Sequence, residues 1–597
     1  MSHFTTRPEI TGTFGVATST HWIASTVGFG ILERGGNAFD AAVAMGFVLH
    51  VVEPHLNGPG GEVPALFHAV KDGKTRVLMG QGSAPARATI AHYRAEGLDL
   101  IPGSGLLATV IPGAFDAWML LLRDHGTMSL REVLEPAIHY ASAGHPILPA
   151  VSVAIAGVRE MFETEWPSSA ATWLVDGAAP APGTLFRNPD LAATWRRVVG
   201  EAETASGREA QIDRARDAFY RGFVAETIGA FLATAETMDG TGQRRKGVLT
   251  ADDMAGWRAR YEDPVTGAYG GWTVHKTGPW GQGPVLLQAL QLLAQTDLAA
   301  MDVGGADFIH TTVEAIKLTY ADREAYYGDP DFSEIPLETL LSADYARRRA
   351  ALIGPQASHD QRPGRIAGRD HPAQAAIARA AGLRERSIGA DAGEPTMAHL
   401  TNRRGDTVHL DVIDRWGNMI SATPSGGWLQ SSPVVPGLGF PLNSRAQMFW
   451  LDEGLPTSLA PGRRPRTTLT PSFATREDGT RMAFGTPGGG QQDQWQLIFF
   501  LRLVHGGANL QEAIDAPLWH SLHFNPSFYP HIARPGRMMI EPNAGDAVIA
   551  DLKARGHEVD VGEPWSIGRL TAAMRDPEGI LRAAATPRLM QAYAVGR

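Results

Sequence analysis

One threonine, Thr407, stands where a cut in the chain would create a catalyst. It follows Gly-Asp in RRGDTVHLDVIDRWGN and directly precedes an alternating apolar and polar run, Val408 to Ile413. A threonine hydroxyl is a weak nucleophile without a base. If the Asp406–Thr407 bond were cut, Thr407 would gain an α-amino group with a reference pKa of about 8, which could accept the hydroxyl proton. β-Branching would also restrict χ1 and hold the hydroxyl in place.

A glycine turn, GTPGGG from Gly485 to Gly490, follows the strand-like run RMAF. It is not a phosphate loop, because no Lys-Ser/Thr pair follows the glycines. The backbone N–H groups of Gly488 and Gly489 could donate to a developing oxyanion. The alternative is a strand-to-helix turn that needs positive φ. The residues of the turn leave both interpretations open.

The composition limits which residue can be the nucleophile and which partners the protein can bind. The 597 residues are 44% apolar and include no cysteine, so a nucleophile must be Ser, Thr, Lys, a carboxylate or an activated water. The net charge of −10 disfavours nucleic acid as a partner. No run of about 18 apolar residues and no secretory signal is visible, so we expect a cytoplasmic protein away from membranes. His520 and His523 lack an HExxH context, and no metal is predicted.

The elements that must position these residues change along the chain. Helical patterns dominate up to residue 350, including a buried helix that starts after Asn37 and ends before Pro54. Residues 354–395 are polar and weakly periodic, which predicts a mobile segment. Beyond them TVHLDVID and NMISATP form a predicted hairpin, and strand-like runs prevail. The sequence therefore predicts a helix-rich N-terminal part and a strand-rich C-terminal part.

Taken together, eight motifs in one order resemble the γ-glutamyltransferase family of N-terminal-nucleophile hydrolases. They are ILERGGNAFDAAVAMGFVLHVVEPHLNGPGGE, GDTVHLDVIDRWGNMIS, PGLGFPLNSR, APGRRPRTTLTPS, FGTPGGG, DAPLWH, GHEVDVGEPWS and ATPR. The resemblance implies an α+β fold, a four-layer αββα sandwich of two β-sheets between helical layers. It implies a proenzyme that cuts itself between Asp406 and Thr407. The large subunit, residues 1–406, and the small catalytic subunit, residues 407–597, would then form one intertwined heterodimeric domain, alone or as a dimer of such pairs.

The resemblance also implies the roles of individual residues. Thr407 takes the position of the nucleophile, and Ser425 that of a second threonine that holds it. Gly488 and Gly489 take the oxyanion position. Thr467 and Thr468 replace a serine pair in the substrate site and keep its hydroxyl groups. Family members need no metal or organic cofactor, so none is expected here.

Three positions depart from the glutamyl-specific pattern. Gln81 stands where an arginine clamps the substrate α-carboxylate, Met448 where an acidic residue binds the α-amino group, and Gly427 where an asparagine is found. Losing both charged contacts predicts poor binding of glutathione. Arg445 in the NSR motif is a candidate cation for a substrate carboxylate, and a structural salt bridge is its alternative role.

Three functions from two classes fit these residues. The first is a self-processed threonine amidohydrolase that acts through an acyl-enzyme on a small amide without a γ-glutamyl group, such as an oxamate-like or acylase substrate, and that could also transfer the acyl group. The second is a γ-glutamyl hydrolase or transferase with other head-group contacts. The third is an uncleaved family member that only binds. The sequence neither supports nor excludes C–C bond hydrolysis by the same nucleophile.

Overall fold

The computed structural model describes residues 4–386 and 407–597. Asp406, and with it the predicted cleavage site between Asp406 and Thr407, lies outside the described residues. So do residues 387–395 of the segment predicted to be mobile. Both parts are rich in regular structure. The helices are α1 Trp22–Glu33, α2 Ala38–Val52, α3 Ile90–Ala95, α4 Ala114–His125, α5 Leu130–Ala143, α6 Pro149–Gly157, α7 Arg159–Thr164, α8 Pro167–Trp173, α9 Pro189–Ala202, α10 Arg208–Tyr220, α11 Phe223–Thr234, α12 Ala251–Gly256, α13 Pro284–Leu293, α14 Ala306–Tyr326, α15 Leu337–Leu340, α16 Ala343–Ala350, α17 Asp370–Arg386, α18 Gln492–Gly506, α19 Leu510–Asp515 and α20 Asp546–Ala554.

Most of the strands belong to two large antiparallel sheets. The strands are β1 Ile10–Gly12, β2 Gly15–Ser19, β3 Val63–Ala69, β4 Lys74–Gly80, β5 His145–Pro146, β6 Leu185–Phe186, β7 Glu236–Met238, β8 Arg244–Lys246, β9 Arg260–Glu262, β10 Val265–Tyr269, β11 Trp272–Lys276, β12 Leu410–Asp414, β13 Met419–Ala422, β14 Ser472–Thr475, β15 Arg481–Gly485, β16 Trp519–Ser521, β17 Arg537–Ile540, β18 Glu558–Val561, β19 Thr571–Arg575, β20 Leu581–Ala585 and β21 Tyr593–Gly596.

The two large sheets stack on each other between helices. One has the strand order β1-β20-β19-β15-β14-β11-β10 and the other β21-β2-β12-β13-β3-β4-β9. Helices α1, α2 and α4 pack on the second sheet, and α13, α18 and α19 pack on the first, while β12 and β13 contact β15 and β19 across the interface. The predicted α+β class and four-layer αββα sandwich are confirmed.

Local sequence signals explain the elements nearest to Thr407. Helix α2 starts in a capping box, in which the Asn37 side chain accepts from the Asp40 N–H and the Asp40 carboxylate accepts from the Asn37 N–H. All fifteen residues of α2 are buried, as its almost entirely apolar sequence requires. The predicted hairpin is present as β12 and β13, with Val412 opposite Ile420.

Residues 370–386 of the segment predicted to be mobile form α17, which packs on α14. The sequence predicts no regular element there, because Ala and Arg are spread through the helix without a wide apolar stripe. Ala376, Ala380 and Leu383 are nevertheless buried. Within residues 4–386 and 407–597, no helix combines the length and the apolar character needed to cross a membrane.

Candidate active site

The candidate site forms at one end of the second sheet, where Thr407, Ser425 and Glu62 lie side by side on neighbouring chain segments. Thr407 forms an antiparallel bridge with Ser425, and Ser425 forms another with Glu62. Residues opposite each other in antiparallel strands project from the same face of a sheet. We call these three residues the Thr407 row, and their side chains share one face.

Thr407 is buried three residues before the strand β12 and has close polar neighbours. Its Oγ1 lies 3.1 Å from the Ser425 Oγ and 3.4 Å from the carbonyl oxygen of Gly488. The Arg569 side chain donates to the Thr407 carbonyl oxygen at 3.1 Å. Two hydroxyls and a main-chain oxygen thus meet at one point, and an arginine fixes the backbone of Thr407.

The predicted glycine turn lies directly over Thr407. Gly488 has φ of +131°, and a Cβ there would meet the Trp495 ring at 2.8 Å, so only glycine fits without strain. A Cβ on Gly489 would meet the Phe528 ring at 3.1 Å. Within the described part of the chain, the N–H groups of Gly488 and Gly489 donate to no protein acceptor. Both donors could therefore bind an oxygen anion that forms near Thr407.

Glutamine side chains hold this turn in place from the carbonyl side. Gln492 at the start of α18 donates to the Gly488 carbonyl, and Gln282 donates to the Gly489 carbonyl at 3.5 Å. Tyr320 of α14 donates its hydroxyl to the Gly490 carbonyl. With their carbonyls anchored, the glycines keep a defined orientation, which pre-organised donors require.

A second glycine loop, residues 58–61, packs against the chain that follows Ser425. A Cβ on Gly61 would collide with the Ser425 carbonyl oxygen, and one on Gly58 would collide with the Gly427 carbonyl oxygen. The HLNGPGGE motif therefore permits close approach of two backbones. Asn443 also holds this loop in place, since its side-chain amide donates to the Gly60 carbonyl at 2.7 Å.

Beneath Thr407, the space between the two sheets is polar. His409 Nδ1 is 2.9 Å from Thr423 Oγ1, and His409 Nε2 is 3.0 Å from an Asp411 carboxylate oxygen. Thr571 of β19 donates to the other Asp411 oxygen at 2.8 Å. A Cβ on Gly485 would overlap the His409 ring. Sequence reasoning missed this network, although polar residues at alternate positions of an apolar strand are a usable signal.

A buried charge cluster on α14 supports the glycine turn from behind. Arg323 donates to Gln282 at 2.7 Å and to Glu324 at 2.6 Å, and Arg466 donates to the same carboxylate at 2.7 Å. Burial alone would raise the pKa of Glu324, but the neighbouring guanidinium charges outweigh it and lower the pKa to about 2. Glu324 is therefore ionised at neutral pH, and the cluster is a fixed part of the site.

A second buried acid, Glu53, lies near Arg569, which donates to the Thr407 carbonyl. It accepts from the Thr20 hydroxyl at 2.5 Å and from the Gln591 amide. Burial raises the pKa of Glu53 to about 7, although the charge of Arg569 and the Thr20 hydrogen bond oppose the shift. This acid titrates near neutral pH beside the arginine that binds the Thr407 carbonyl.

The positions that depart from the glutamyl pattern gather at the far end of the Thr407 row. Arg445 is buried, and its Nε donates to Glu62 in an ion pair. Met448 packs against Trp428 and Phe528. The β3–β4 register, continued by one residue past Val63 and Gly80, sets Gln81 opposite Glu62. The Gln81 Oε1 is buried and, among the described residues, accepts no hydrogen bond.

Gly427 occupies a position that no larger residue could take in this structure. Its φ is +63°, and a Cβ would lie 2.9 Å from the Gly61 nitrogen. The Cβ of an asparagine here would collide with the backbone of Gly60 and Gly61 and push the two glycine loops apart. The close contact between the two loops therefore requires glycine at position 427.

Thr467 and Thr468 lie in a buried segment rather than in a solvated loop. In the described part of the chain no hydrogen bond joins either residue to Thr407; the Thr467 N–H donates to the Trp280 carbonyl at 3.0 Å. Thr470, two residues on, donates its N–H to the Gln492 side chain at 3.2 Å. Because Gln492 also binds the Gly488 carbonyl, the segment reaches the glycine turn through this residue.

One group of side chains has the composition of a metal site. The ligand atoms of His310, Glu314 and His557 lie within 4.8 Å of one another. Glu314 already binds Lys317 at 2.7 Å and Arg362 at 3.0 Å, and His310 is 2.9 Å from His557. Two cations on the only carboxylate of the group oppose a further positive charge. These residues fit a hydrogen-bonded cluster and not a metal ion.

Comparison with known proteins agrees with this geometry. The chain matches the Gamma-glutamyltranspeptidase family over residues 24–596 and belongs to that family. A glutathione hydrolase-like YwrD proenzyme of Bacillus subtilis (strain 168) is 30% identical, with 97% of this chain and 98% of that protein aligned. An oxamate amidohydrolase proenzyme of Klebsiella pneumoniae subsp. pneumoniae is also 30% identical, with 96% and 97% aligned.

Solved structures extend the similarity to the whole fold. LmbA2991HD is 56% identical and superposes with a TM-score of 0.91 over 100% of both chains. A cephalosporin acylase from Bacillus halodurans is 28% identical, with a TM-score of 0.80 over 100% of this chain and 98% of that one. The predicted family is confirmed, and so is the prediction of a hydrolase of C–N amide bonds at the level of this family.

Proposed function

We propose that the protein is a self-processing threonine amidohydrolase whose substrate is a small amide without a γ-glutamyl head group. The observation that carries the proposal is the position of Thr407. Its hydroxyl lies between the Ser425 hydroxyl and the Gly488 carbonyl, three residues before β12 and near two main-chain N–H groups that have no acceptor among the described residues. Relatives named as proenzymes support self-cleavage.

The first reaction would be maturation. The Thr407 hydroxyl attacks the Asp406 carbonyl, the Asp406–Thr407 amide breaks as an ester forms on Oγ1, and the nitrogen takes the proton to become a free amine. Water then hydrolyses the ester and leaves residues 1–406 and residues 407–597 as two subunits. Arg569, which donates to the Thr407 carbonyl, would keep the residue in place after the bond is cut.

Turnover would use the same atoms. The new α-amine accepts the Thr407 hydroxyl proton as the oxygen attacks a substrate amide, and Gly488 and Gly489 donate to the oxyanion. The amine leaves with a proton, and an acyl-enzyme remains on Oγ1. Water, or an acceptor amine in a transfer reaction, then releases the acyl group. Ser425 would orient the Thr407 hydroxyl through their contact.

The head-group positions favour an amide other than γ-glutamyl. Gln81 and Met448 carry no charge, and Gly427 has no side chain, so the sites that would hold an α-carboxylate and an α-ammonium group are altered. The names of relatives range from oxamate amidohydrolase to glutathione hydrolase-like proenzyme and acylase. Because these names differ in substrate, the proposed substrate class is argued from the residues at the head-group positions.

A panel of amides tests the proposal, with ammonia or amine release as the readout and acid-quenched mass analysis to detect an acyl group on the 407–597 fragment. The expected result is turnover of at least one non-glutamyl amide with an adduct on that fragment. A γ-glutamyl substrate that matches the best amide would favour a γ-glutamyl hydrolase. That second function has one observation in its favour, the adjacent opposite charges of Arg445 and Glu62.

A further inference from the structure

Arg569 connects the two halves of the candidate site. Its side chain donates from Nη2 to the Thr407 carbonyl oxygen at 3.1 Å, and its main-chain N–H donates to the Thr486 hydroxyl at 3.1 Å. Thr486 belongs to the glycine turn, and its hydroxyl donates in turn to the Pro487 carbonyl at 2.9 Å. One residue therefore sets the position of Thr407 relative to the N–H groups of the turn.

The chain around Arg569 leaves this residue little freedom. Arg569 is buried two residues before β19, whose first residue, Thr571, lies opposite Gly485 of β15. The preceding Gly568 has φ of +77°, and a Cβ there would lie 2.7 Å from a Leu518 side-chain carbon. A glycine thus turns the chain, and the pairing of β15 with β19 fixes it on the other side. The guanidinium is held at Thr407 by the fold itself.

Glu53 holds a carboxylate beside the same part of the chain. It is the C-terminal cap residue of α2, and its buried carboxylate accepts from the Thr20 hydroxyl at 2.5 Å and from the Gln591 amide. The Thr20 N–H donates to the His409 carbonyl at 3.2 Å, two residues beyond Thr407. Two donors therefore fix the carboxylate, and one of them is hydrogen-bonded to the chain that follows Thr407.

Other charged or titratable groups on the elements around Thr407 have partners of their own. Three acids are paired with a basic side chain, namely Glu62 with Arg445, Asp411 with His409, and Asp493 with Lys276. His21, at the end of β2, is neutral because burial lowers its pKa to about 3. Arg569 and Glu53 complete the set, and Arg569 has a hydrogen bond to Thr407 itself.

The charge of Arg569 would act on the amine that forms when the chain is cut. The Thr407 nitrogen and the Thr407 carbonyl belong to one residue, so the guanidinium lies within roughly 6 Å of that nitrogen. A positive charge at this distance disfavours an ammonium group and lowers its pKa, commonly by about 1 to 3 units. An ionised carboxylate beside the guanidinium has the opposite effect on the amine.

We infer that Arg569 is a positioning residue that fixes Thr407 against the glycine turn, and that its charge keeps the α-amine of mature Thr407 in the neutral form that accepts a proton, an effect that ionised Glu53 weakens. This inference rests on the proposed function, because the amine exists only after the Asp406–Thr407 bond is cut. The amine and Glu53 would titrate as a coupled pair. Protonated Glu53 leaves the charge of Arg569 unopposed, so the base stays usable at lower pH.

The pH dependence of kcat/KM for the best amide of the panel tests the charge of Arg569. The rate should rise with pH as the amine loses its proton. Arg569→Gln removes the charge but keeps an amide donor, so this acidic limb should move up by at least about one pH unit. Arg569→Lys keeps the charge and should leave the limb nearly in place. An unmoved limb in a folded, cut Arg569→Gln enzyme would overturn the inference.

Arg216→Gln is the matched control for the loss of a buried arginine. Arg216 of α10 is also buried, and its Nε donates to the Asp116 carboxylate of α4 at 2.7 Å. This variant removes a buried positive charge from a helical layer and should leave the acidic limb unchanged. A limb that moves equally in Arg216→Gln and Arg569→Gln would show that the shift does not come from a charge at Thr407.

Glu53→Gln should shift the acidic limb in the opposite direction. A glutamine still offers an acceptor to the Thr20 hydroxyl but cannot ionise, so the charge of Arg569 stays unopposed. The limb should move down by about half a pH unit. A loss of packing alone would lower the plateau of the profile and would not move the limbs of the Glu53 and Arg569 variants in opposite directions. An unchanged or raised limb in Glu53→Gln contradicts the role of Glu53.

Acetylation of the Thr407 amine measures the same pKa without a substrate. Acetic anhydride reacts with the neutral amine, and mass analysis of the peptide that begins at Thr407 gives the extent of reaction at each pH. A lower amine pKa in the wild type than in Arg569→Gln supports the inference. If Arg569→Gln stays uncut, a lower amine pKa in Glu53→Gln than in the wild type supports it instead.

The labelling also distinguishes failure of the inference from failure of the proposed function. The expected pKa differences in a cut enzyme that hydrolyses no amide would support the inference while the proposed function fails. Equal amine pKa values in an enzyme that hydrolyses amides would contradict the inference alone. A wild-type chain that is never cut would contradict both.

Discussion

The two ends of the Thr407 row are built from different chemical groups. At Thr407 the proposed catalytic contacts come from hydroxyls and from the main-chain N–H groups of Gly488 and Gly489. At the other end, the residues proposed to select the substrate are the side chains of Arg445, Met448 and Gln81. The first set depends on backbone geometry, and the second depends on residue identity.

This difference explains why the chain keeps one end of its family's site and changes the other. Glycine positions with positive φ or with backbone contacts closer than a Cβ allows tolerate almost no substitution, as at Gly488 and Gly61. A head-group position such as Met448 can change without disturbing the fold, because its replacement packs among aromatic rings. Chemistry and substrate choice can therefore vary separately in this fold.

The largest expected effect comes from removing the Thr407 hydroxyl. Thr407→Ala should leave the chain uncut and lower amide turnover by roughly 10⁴-fold or more, because both reactions are proposed to start from Oγ1. Thr407→Ser is the control and should still cleave, at a lower rate. Gel analysis and the amide assay measure the two effects. Efficient cleavage of the Ala variant between residues 406 and 407 would contradict the self-processing proposal.

A substitution in the glycine turn should have the next largest effect. Gly489→Leu places a side chain against Phe528 and should tilt the N–H donors, lowering kcat by about 10²-fold. Gly256→Leu is the control, because Gly256 is exposed at the end of α12 and a Cβ there meets nothing within 4 Å. Unchanged turnover in a folded Gly489→Leu enzyme would make the turn a purely structural element.

A change at Met448 should shift substrate preference without abolishing chemistry. Met448→Asp puts an acid where an α-ammonium group would lie, so the ratio of kcat/KM for γ-glutamyl over glutaryl anilide should rise about 10-fold. Met448→Leu preserves volume and should leave the ratio unchanged. The same ratio in both variants would show that this position does not contact the head group.

The smallest effect concerns stability rather than turnover. The folded pKa of Glu53 is about 7 and its ordinary value is 4.5, so the folded state binds its proton more tightly than the unfolded state. The contribution of Glu53 is therefore most favourable below about pH 4.5, and roughly 3 kcal/mol is lost as pH rises to about 7.

Urea unfolding of the uncut Thr407→Ala chain, with and without Glu53→Gln, measures this loss. The free energy of unfolding of the chain that keeps Glu53 should fall relative to that of the Glu53→Gln chain between pH 5 and pH 7, since only the former can lose the proton. A difference that stays constant over this range would place the pKa of Glu53 near its ordinary value.

Periodicity and motif order predicted the architecture, including α2, the β12–β13 hairpin and the glycine turn. Helix α17 was missed, because its few buried alanines leave no clear apolar stripe. The ion pair of Arg445 with Glu62 could not be predicted, since the two residues are 383 positions apart in sequence. Arg569 carried no local signal, and only tertiary folding brings it to the Thr407 carbonyl.

The central claim is that Thr407 becomes an N-terminal residue. Intact-mass analysis and N-terminal sequencing of freshly purified wild-type protein test it directly. We expect two fragments, residues 1–406 and 407–597, the second beginning Thr-Val-His-Leu. A single uncut chain of 597 residues that nevertheless hydrolyses amides would contradict the claim.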